Sequence, residues 1–273
     1  MLKEKSLSPE ELRKMQLIQL DMLIDFDRVC RKNGIKYILE GGTLLGAVRH
    51  GKFIPWDDDI DVRMLRSEYE KFCKVATQLD KRIFFQSHKT DKNYPWLFSK
   101  LRKRGTKAIR LGQEKLRMHN GVFIDIFPCD GVPKSKVLRS IRTIIAIMCR
   151  KILYARIAKD SANTVVERIF WHFVSIIPMS IPHKIIDKMT KIFDEKKYNL
   201  VGSFGWHGKE DNQGFKKVWF TELTEIEFEG RKFFAPKDWD GFLKYAFGDD
   251  YMTPPPLEKQ KGSAILSSYY LGK

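Results

Sequence analysis

Four aspartates crowd one short stretch of this sequence, Pro-Trp-Asp-Asp-Asp-Ile-Asp-Val, at residues 55–62. If the stretch forms a strand, the alternation of side chains places Asp57, Asp59 and Asp61 on one face and Asp58 on the other. Carboxylates this close repel one another strongly unless a cation lies between them. An all-oxygen site of this kind suits Mg²⁺ or Mn²⁺. An acidic surface turn is the alternative, although bulky apolar neighbours argue against a fully solvated run.

A glycine pair precedes the aspartates. Gly41 and Gly42 allow the backbone to approach a ligand closely, and a helix over residues 43–48 would offer free N–H groups and the positive end of its dipole. Thr43 is placed either to cap that helix or to contact a phosphate. Because the glycines lie shortly before the aspartates, the two segments together predict a cradle for a metal–phosphate unit. The spacing is not that of a P-loop.

A fifth aspartate and three basic residues complete the predicted site. Asp125 lies in an otherwise apolar run, residues 122–127, that is typical of a buried strand. A buried carboxylate is costly unless it is paired or binds a metal, so Asp125 is predicted to be a metal ligand, with a structural salt bridge as the alternative. Lys100 and Arg102 lie two apart on a predicted strand, and Arg49 follows the glycine-rich helix. All three are predicted to bind phosphate, with solvated surface charge as the alternative.

Composition sets the class of protein. The chain has 273 residues, of which 43% are hydrophobic and 31% charged, which excludes a disordered or collagen-like chain. The 50 Lys and Arg against 34 Asp and Glu give a net charge of +16, which favours an anionic partner. The four cysteines have no C-x-x-C spacing and predict reduced thiols. Neither an apolar signal segment nor an apolar run of about 18 residues is present, so we expect a cytoplasmic protein.

Periodicity predicts the elements that must position these residues. An amphipathic helix is predicted over residues 8–33, with Ser8 as its N-cap and Glu11 completing a capping box. Further helix and strand patterns in the first half indicate an α/β or α+β fold, of which we predict α+β. Strands are predicted at residues 35–39, 57–62, 83–86, 96–101 and 122–127, and a helix at 67–79.

The composition changes near Pro133, and we predict three units. Residues 1–133 form the catalytic core, 134–217 a basic helical subdomain, and 218–273 a segment that packs back on the core. Residues 134–197 hold 14 basic and 5 acidic residues among bulky apolar ones. They are interpreted as a subdomain with solvated charges, as a surface that contacts an anionic membrane, or, least favoured, as a nucleic-acid site, since no recognition motif accompanies the charge.

Several of these segments resemble the LicD family, which includes bacterial phosphocholine transferases and is related to fukutin and fukutin-related protein. GGTLLGAVRHGKFIPWDDDIDV at residues 41–62 is the most specific match. FSKLRKRGT at 98–106, FIDIFPCDGVP at 123–133 and GRKFFAPKDWDGFLKYAFGDDYMTPP at 230–255 support it. Residues 134–220 carry no motif of the family that we can place.

The resemblance implies a nucleotidyltransferase-like mixed sheet flanked by helices. Asp59 and Asp61 then match the family's metal-binding pair, Asp57 the aspartate upstream and Asp125 the later one. The implied reaction is metal-dependent, with Mg²⁺ or Mn²⁺, and moves phosphocholine or a similar group from a CDP-linked donor such as CDP-choline. The acceptor is a hydroxyl of a glycan or lipid-linked glycan in teichoic acid, lipopolysaccharide or capsule. Asp59, Asp61 and Asp125 are the predicted catalytic residues, and either Asp61 or Asp125 is expected to accept the acceptor's proton.

Two other functions remain open at this point. One is nucleotidyl transfer to a sugar phosphate, and the other is a non-catalytic basic scaffold with the same fold. We expect no nucleic-acid partner, and a location at the inner face of a membrane is the alternative to a purely cytoplasmic one.

Overall fold

A computed structural model of the chain describes residues 5–205, 208–260, 262 and 266–272. The helices are α1 Pro9–Lys32, α2 Gly41–His50, α3 Arg66–Val75, α4 Lys136–Ser161, α5 Val165–Ile176, α6 Ser180–Ile192, α7 Lys209–Gln213, α8 Val218–Thr221 and α9 Trp239–Phe247. The strands are β1 Ile38–Leu39, β2 Asp61–Leu65, β3 Ile83–Gln86, β4 Ser99–Lys103, β5 Lys107–Arg110, β6 Phe123–Gly131, β7 Leu200–Gly202, β8 Phe215–Lys216, β9 Leu223–Phe228, β10 Arg231–Pro236 and β11 Leu266–Tyr270.

The first helix, α1, has the predicted capping box. The Ser8 hydroxyl accepts from the Glu11 backbone N–H at 3.2 Å, and the Glu11 carboxylate accepts from the Ser8 N–H at 2.9 Å. The two bonds satisfy N–H groups that have no partner inside the helix, so the helix begins at a defined residue. Its apolar stripe is buried, and two polar side chains, Gln16 and Gln19, are buried with it.

The central sheet is mixed, which confirms the predicted α+β class. Its strands run in the order β1-β2-β6-β4-β3, with β7 and β8 continuing from the far end of β6. Strand β2 pairs with β6 in parallel, and β4 pairs with β6 antiparallel. Every residue of β6 is buried. This central strand therefore carries its single mid-strand acid, Asp125, into the interior of the fold.

Two predicted boundaries next to the aspartates are wrong. The strand predicted over residues 57–62 begins only at Asp61, and residues 57–60 precede it without regular structure. The alternation of Asp57 and Asp59 on a strand face therefore does not occur. The physical reason lies in α1. The Gln16 and Gln19 side-chain amides donate to the carbonyls of residues 57 and 58, at 2.9 and 2.8 Å. These carbonyls therefore bond to helix side chains instead of to the backbone of a neighbouring strand.

Helix α2 also begins earlier than predicted. It includes both glycines, and Glu40 rather than Thr43 is the N-cap residue. The Thr43 hydroxyl instead accepts the Asp61 backbone N–H at 2.9 Å. Strands predicted at residues 35–39 and 96–101 are found at Ile38–Leu39 and Ser99–Lys103.

The C-terminal segment contacts the first half of the chain. The β9–β10 hairpin and α9 contribute buried aromatics, among them Phe228, Phe233 and Phe242, to the same hydrophobic core as α1 and the sheet. Helices α4 and α6 supply most of a separate small cluster that includes Cys149 and Met189. The division into three units stays a prediction.

In the part of the chain that the structure describes, no single helix is both long and apolar enough to cross a bilayer. One bent pair, Val165–Ile176 with Ser180–Lys197, meets those criteria jointly by length and composition, with a bend of 67°.

Candidate active site

Three strands bring two carboxylates and a lysine into register at the centre of the sheet. Asp61 on β2 is the parallel partner of Asp125 on β6, and Lys100 on β4 is the antiparallel partner of Asp125. The Lys100 ammonium donates to Asp125 Oδ1, and both side chains are buried. The ion pair that was the alternative role for Asp125 is therefore present, and the carboxylate also lies beside Asp61.

The remaining aspartates converge from the loop before β2. One carboxylate oxygen from each of Asp57, Asp58 and Asp59 lies within 4.8 Å of the others. Asp58 was expected on the opposite side of a strand and is brought into the cluster because the segment is a loop. Hence the acidic cluster forms, but on a loop and not on the strand that the sequence predicted.

The two glycines pack against these carboxylates. A Cβ at Gly42 would lie 2.5 Å from Asp57 Oδ2, and one at Gly41 would lie 3.6 Å from Asp61 Oδ2. Gly41 also has a φ of +54°, a left-handed conformation that favours glycine. The close approach that the glycines allow in this structure is therefore between α2 and the aspartates.

A cavity of about 700 Å³ opens over the aspartates, and Asp59, Asp61 and Asp125 all line it. The opposite wall comes from α4, through side chains that include Arg150 and Tyr154. The volume is within the range of small-molecule sites. The structure thus brings the three predicted catalytic residues to one cavity.

Aromatic and basic side chains line much of this cavity besides the aspartates. The aromatic ones are Trp96, Phe98, Phe127 and Tyr154, and the basic ones are Arg110, Arg150 and Lys151. Rings of this kind can face a cation or a base, and guanidinium groups can bind phosphate. The cavity is therefore lined by carboxylates, cationic groups and aromatic rings together.

Burial and mutual repulsion dominate the electrostatics of the carboxylates. Burial, followed by repulsion from Asp59 and Asp58, raises the pKa of Asp57 to about 8. Burial raises the pKa of Asp59 to about 6 although the Arg110 guanidinium opposes that change. Burial and the neighbouring carboxylates raise the pKa of Asp61 well above its ordinary value. The cluster therefore resists carrying its full negative charge without a cation.

The three predicted phosphate-binding cations have other partners. Lys100 is paired with Asp125, and burial lowers the pKa of this lysine to about 7. Arg102 is buried and donates to Gln86 Oε1 at 2.7 Å and to a backbone carbonyl at 2.8 Å. Arg49 donates to the Tyr251 carbonyl. None of the three is among the described residues that line the large cavity, and their phosphate contacts stay a prediction.

Arg110 is a site residue that the sequence analysis missed. It ends β5, a strand that was not predicted, and its guanidinium donates to Asp59 Oδ2 at 3.2 Å. The β5 strand forms by pairing with β11 near the other end of the chain. Local patterns carry no signal for a pairing over that separation. Arg150 and Lys151 were counted in the sequence only as part of the basic segment.

A buried arginine holds the residue that precedes the two glycines. Arg63 on β2 is bidentate to Glu40, at 2.6 and 2.7 Å, and also donates to Asp211 at 2.6 Å. Because Glu40 is the N-cap residue of α2, this network fixes where the two glycines begin the helix. A second cavity of about 260 Å³ lies here, lined by Glu40, Asp61 and Arg63 among others. Asp61 thus lies on the wall of both cavities.

The residues present fit a divalent cation. Asp61 Oδ1 is buried and has no hydrogen-bond partner among the described residues. The clustered oxygens of residues 57–59 lie on the preceding loop, and Asp125 is the register partner of Asp61. Carboxylate oxygens are the ligands that Mg²⁺ and Mn²⁺ prefer, and an orphaned buried carboxylate oxygen is costly.

The architecture and this acidic cavity define a nucleotidyltransferase-like protein, and comparison with known proteins specifies the family. The LicD/FKTN/FKRP nucleotidyltransferase domain matches residues 34–141. Lipopolysaccharide cholinephosphotransferase LicD of Haemophilus influenzae is 32% identical over 278 positions, covering 95% of this chain and 98% of that protein.

Two shorter similarities accompany these. Ribitol 5-phosphate transferase FKRP of Homo sapiens is 66% identical over 29 residues, which cover 11% of this chain and 6% of FKRP. An uncharacterised protein of Rickettsia typhi is 41% identical over 68 residues, 25% of this chain and 21% of that protein. The chain belongs to the LicD family, as its motifs predicted, and it is a phosphotransferase.

Proposed function

We propose that this enzyme transfers phosphocholine, or a closely similar phospho-substituent, from a CDP-linked donor to a hydroxyl of a cell-envelope glycan. Lipopolysaccharide is the favoured acceptor, because the relative that aligns along nearly its whole length is named for that substrate. Teichoic acid and capsule are the other acceptors to test. We place the reaction in the cytoplasm, at the inner face of the membrane.

One observation carries the proposal. Asp59, Asp61 and Asp125 share one wall of a cavity whose volume, about 700 Å³, accommodates a small-molecule donor. Phosphoryl transfer depends on positioning and charge neutralisation more than on covalent chemistry by the protein. Carboxylates that can hold a cation, beside cationic side chains, can provide both the positioning and the charge neutralisation.

In this proposal Asp57, Asp59, Asp61 and Asp125 hold one or two Mg²⁺ or Mn²⁺ ions. When bound, such an ion neutralises the developing charge on the transferred phosphoryl group and its leaving group. The protein's own residues do the rest. Arg110, whose guanidinium already contacts Asp59, fixes that carboxylate and is in position to bind a donor phosphate.

The other side chains that line the cavity bind the transferred group and the donor. The guanidinium and ammonium groups of Arg150 and Lys151 bind phosphate oxygens, and Trp96, Phe127 and Tyr154 present rings to the rest of the donor. A quaternary ammonium group is attracted to the face of such a ring, which supports choline as the substituent. Asp61 and Asp125 are the carboxylates that can accept the proton of the acceptor hydroxyl.

The test begins with ligand binding. Thermal shifts with CDP-choline, CDP-ribitol and CDP-glycerol, each with and without Mg²⁺, identify the donor, since a ligand that binds the native state raises the melting temperature. The selected donor is then incubated with lipopolysaccharide, and the release of CMP is measured. Asp61→Asn is expected to lower turnover by at least about 100-fold while the protein stays folded. Asp249→Asn, at an exposed aspartate that is among the lining residues of neither cavity, is the matched control.

Each alternative gives its own result. Release of pyrophosphate from a nucleoside triphosphate would identify a nucleotidyltransferase. Turnover of the Asp61→Asn variant at the wild-type rate would contradict the catalytic assignment. No divalent ion bound at millimolar concentration, together with no turnover, would favour the scaffold.

A further inference from the structure

Helices α4, α5 and α6 expose an unusual amount of apolar surface. Fifteen of the 22 large hydrophobic side chains that are exposed in the described part of the chain lie on these three helices. Scattered exposed apolar residues are normal in monomeric proteins, whereas a contiguous patch marks an interaction surface. We call the surface formed by these side chains, without Tyr154, which lines the cavity, the outer face of α4–α6.

Helix α5 is the clearest part of the outer face. It has no buried residue, and its side chains include Val166, 78% exposed, and Phe173, 66% exposed. At 100° per residue, its six exposed apolar positions occupy one side of the helix, with Phe173 near the middle. A surface helix normally turns that stripe toward the core. Helix α5 packs on α4. Its half-buried residues are Trp171, Val174 and Ser175, and the side that carries the six exposed apolar residues is left uncovered.

The charges around the outer face are predominantly positive. Residues 136–192 contain 11 Lys and Arg against 3 Asp and Glu. Arg168 on α5 and Lys184, Lys188 and Lys191 on α6 are exposed. The α6 lysines lie along or beside the stripe formed by the exposed isoleucines of that helix. An apolar stripe bordered by exposed cations complements a bilayer that carries anionic headgroups.

The outer face adjoins the catalytic cavity along α4. Exposed residues 137, 141, 144 and 148 form one stripe at three- and four-residue spacing. Cavity-lining residues 147, 150, 154 and 157 form the neighbouring stripe of the same helix. The surface that is uncovered and the surface that faces the candidate donor site are therefore adjacent sides of one helix.

We propose that the outer face of α4–α6 binds the surface of an anionic lipid bilayer. The apolar stripes insert at the level of the headgroups, and the surrounding lysines and arginines contact lipid phosphates. Helix α5 has 12 residues and is about 18 Å long, shorter than the roughly 30 Å hydrocarbon core, so it lies in the interface and does not cross it. The proposal goes beyond the transfer reaction, because membrane binding needs no turnover.

The experiment is vesicle co-sedimentation of the full chain. Vesicles that contain phosphatidylglycerol are compared with vesicles of phosphatidylcholine alone, at low and high salt. The wild-type protein is expected to partition into the anionic vesicles and to dissociate as salt rises. Ile169→Ser with Phe173→Ser is expected to lower the partition coefficient at least about tenfold, because two large apolar side chains no longer insert.

Matched controls separate this surface from general effects. Met252→Ser with Leu257→Ser changes two apolar residues outside α4–α6 that are also at least half exposed, and it should leave partitioning unchanged. Lys184→Gln with Lys188→Gln should lower partitioning about fivefold per lysine, as expected for basic residues at an anionic surface. Substitution to glutamine of Lys81, an exposed lysine elsewhere, should have no comparable effect.

Two results would overturn the proposal. One is the absence of wild-type partitioning into anionic vesicles at low salt. The other is a dimer in sedimentation velocity that the Ile169 and Phe173 substitutions dissociate, which would make a second copy of the chain the occupant. Transfer to a soluble acceptor is measured in parallel, so that a failure of membrane binding is not confused with a failure of the proposed chemistry.

Discussion

Replacing Gly42 with alanine tests whether the position of the Asp57 carboxylate matters for catalysis. The new Cβ would lie 2.5 Å from Asp57 Oδ2 and 3.3 Å from its Cγ, whereas carbon contacts are favourable at about 3.5–4 Å. The carboxylate must therefore move by about 1 Å. A displacement of that size in a positioned group can cost about 100-fold in rate. We expect kcat/KM to fall about 30- to 100-fold.

The same substitution should change stability little. The obstacle is the end of a side chain, which can rotate, and Gly42 has no left-handed backbone conformation that alanine would strain. Alanine is also the better helix former by up to about 1 kcal/mol, which offsets part of the strain. The melting temperature should therefore shift by no more than about 4 °C.

Gly34→Ala is the matched control, because it reverses the expectation. Gly34 has a φ of +62°, and a Cβ there would meet nothing within 4 Å. Left-handed strain should cost about 1–2 kcal/mol of stability, while kcat/KM of the folded enzyme stays unchanged. The assays are donor turnover and thermal unfolding of both variants. Wild-type kcat/KM in the Gly42→Ala variant would refute the reasoning.

Three further predictions concern buried charges. Lys100→Met leaves Asp125 buried without its cation and should cost about 3–5 kcal/mol in urea unfolding, and millimolar Mg²⁺ should recover part of that loss only if Asp125 binds the ion. Arg63→Leu leaves the buried carboxylates of Glu40 and Asp211 without their cation and should lower the free energy of unfolding by at least about 3 kcal/mol. A loss below about 1 kcal/mol would contradict the proposed network. Because the pKa of Asp57 is raised from 3.8 to about 8, the folded state binds more protons than the unfolded chain between these pH values. The stability of the metal-free protein should therefore fall as pH rises through this range, and Asp57→Asn should weaken this dependence. Mg²⁺ should raise the melting temperature more at pH 8 than at pH 5.

Local sequence signals predicted the parts of the fold whose causes are local. The capping box of α1 depends on residues three apart, and both of its hydrogen bonds are present. The buried strand around Asp125 follows from an uninterrupted apolar run, and a lone acid within such a run indicates a partner. The structure gives Asp125 the salt bridge that was the alternative, with Lys100, and makes it the register partner of Asp61. Its role as a metal ligand stays a prediction.

Where the prediction was wrong, distant residues decide the local structure. Residues 57–60 were predicted to begin a strand, but side-chain amides of α1 donate to the carbonyls of residues 57 and 58. A glutamine on a helix surface gives no sign in the sequence of which carbonyl it will meet. Arg110 was missed for the same reason, because among the described residues its strand pairs with β11, more than 150 residues away.

The position of the basic helices bears on how a transferase would reach a lipid-bearing acceptor. A helix with its side chains is about 10 Å across, so a bilayer in contact with Ile144 and Met148 would lie within about that distance of the cavity wall formed by Ile147 and Tyr154. A glycan hydroxyl near its lipid anchor would then be presented at the cavity without leaving the membrane surface. Because the membrane-binding surface and the donor cavity lie on adjacent sides of α4, a membrane-bound acceptor would reach the cavity by diffusing along the bilayer surface instead of through solution. The advantage should appear as a lower KM for acceptor in anionic vesicles than for the same glycan freed of lipid, with kcat unchanged. Equal KM values would mean that the outer face contributes nothing to acceptor capture.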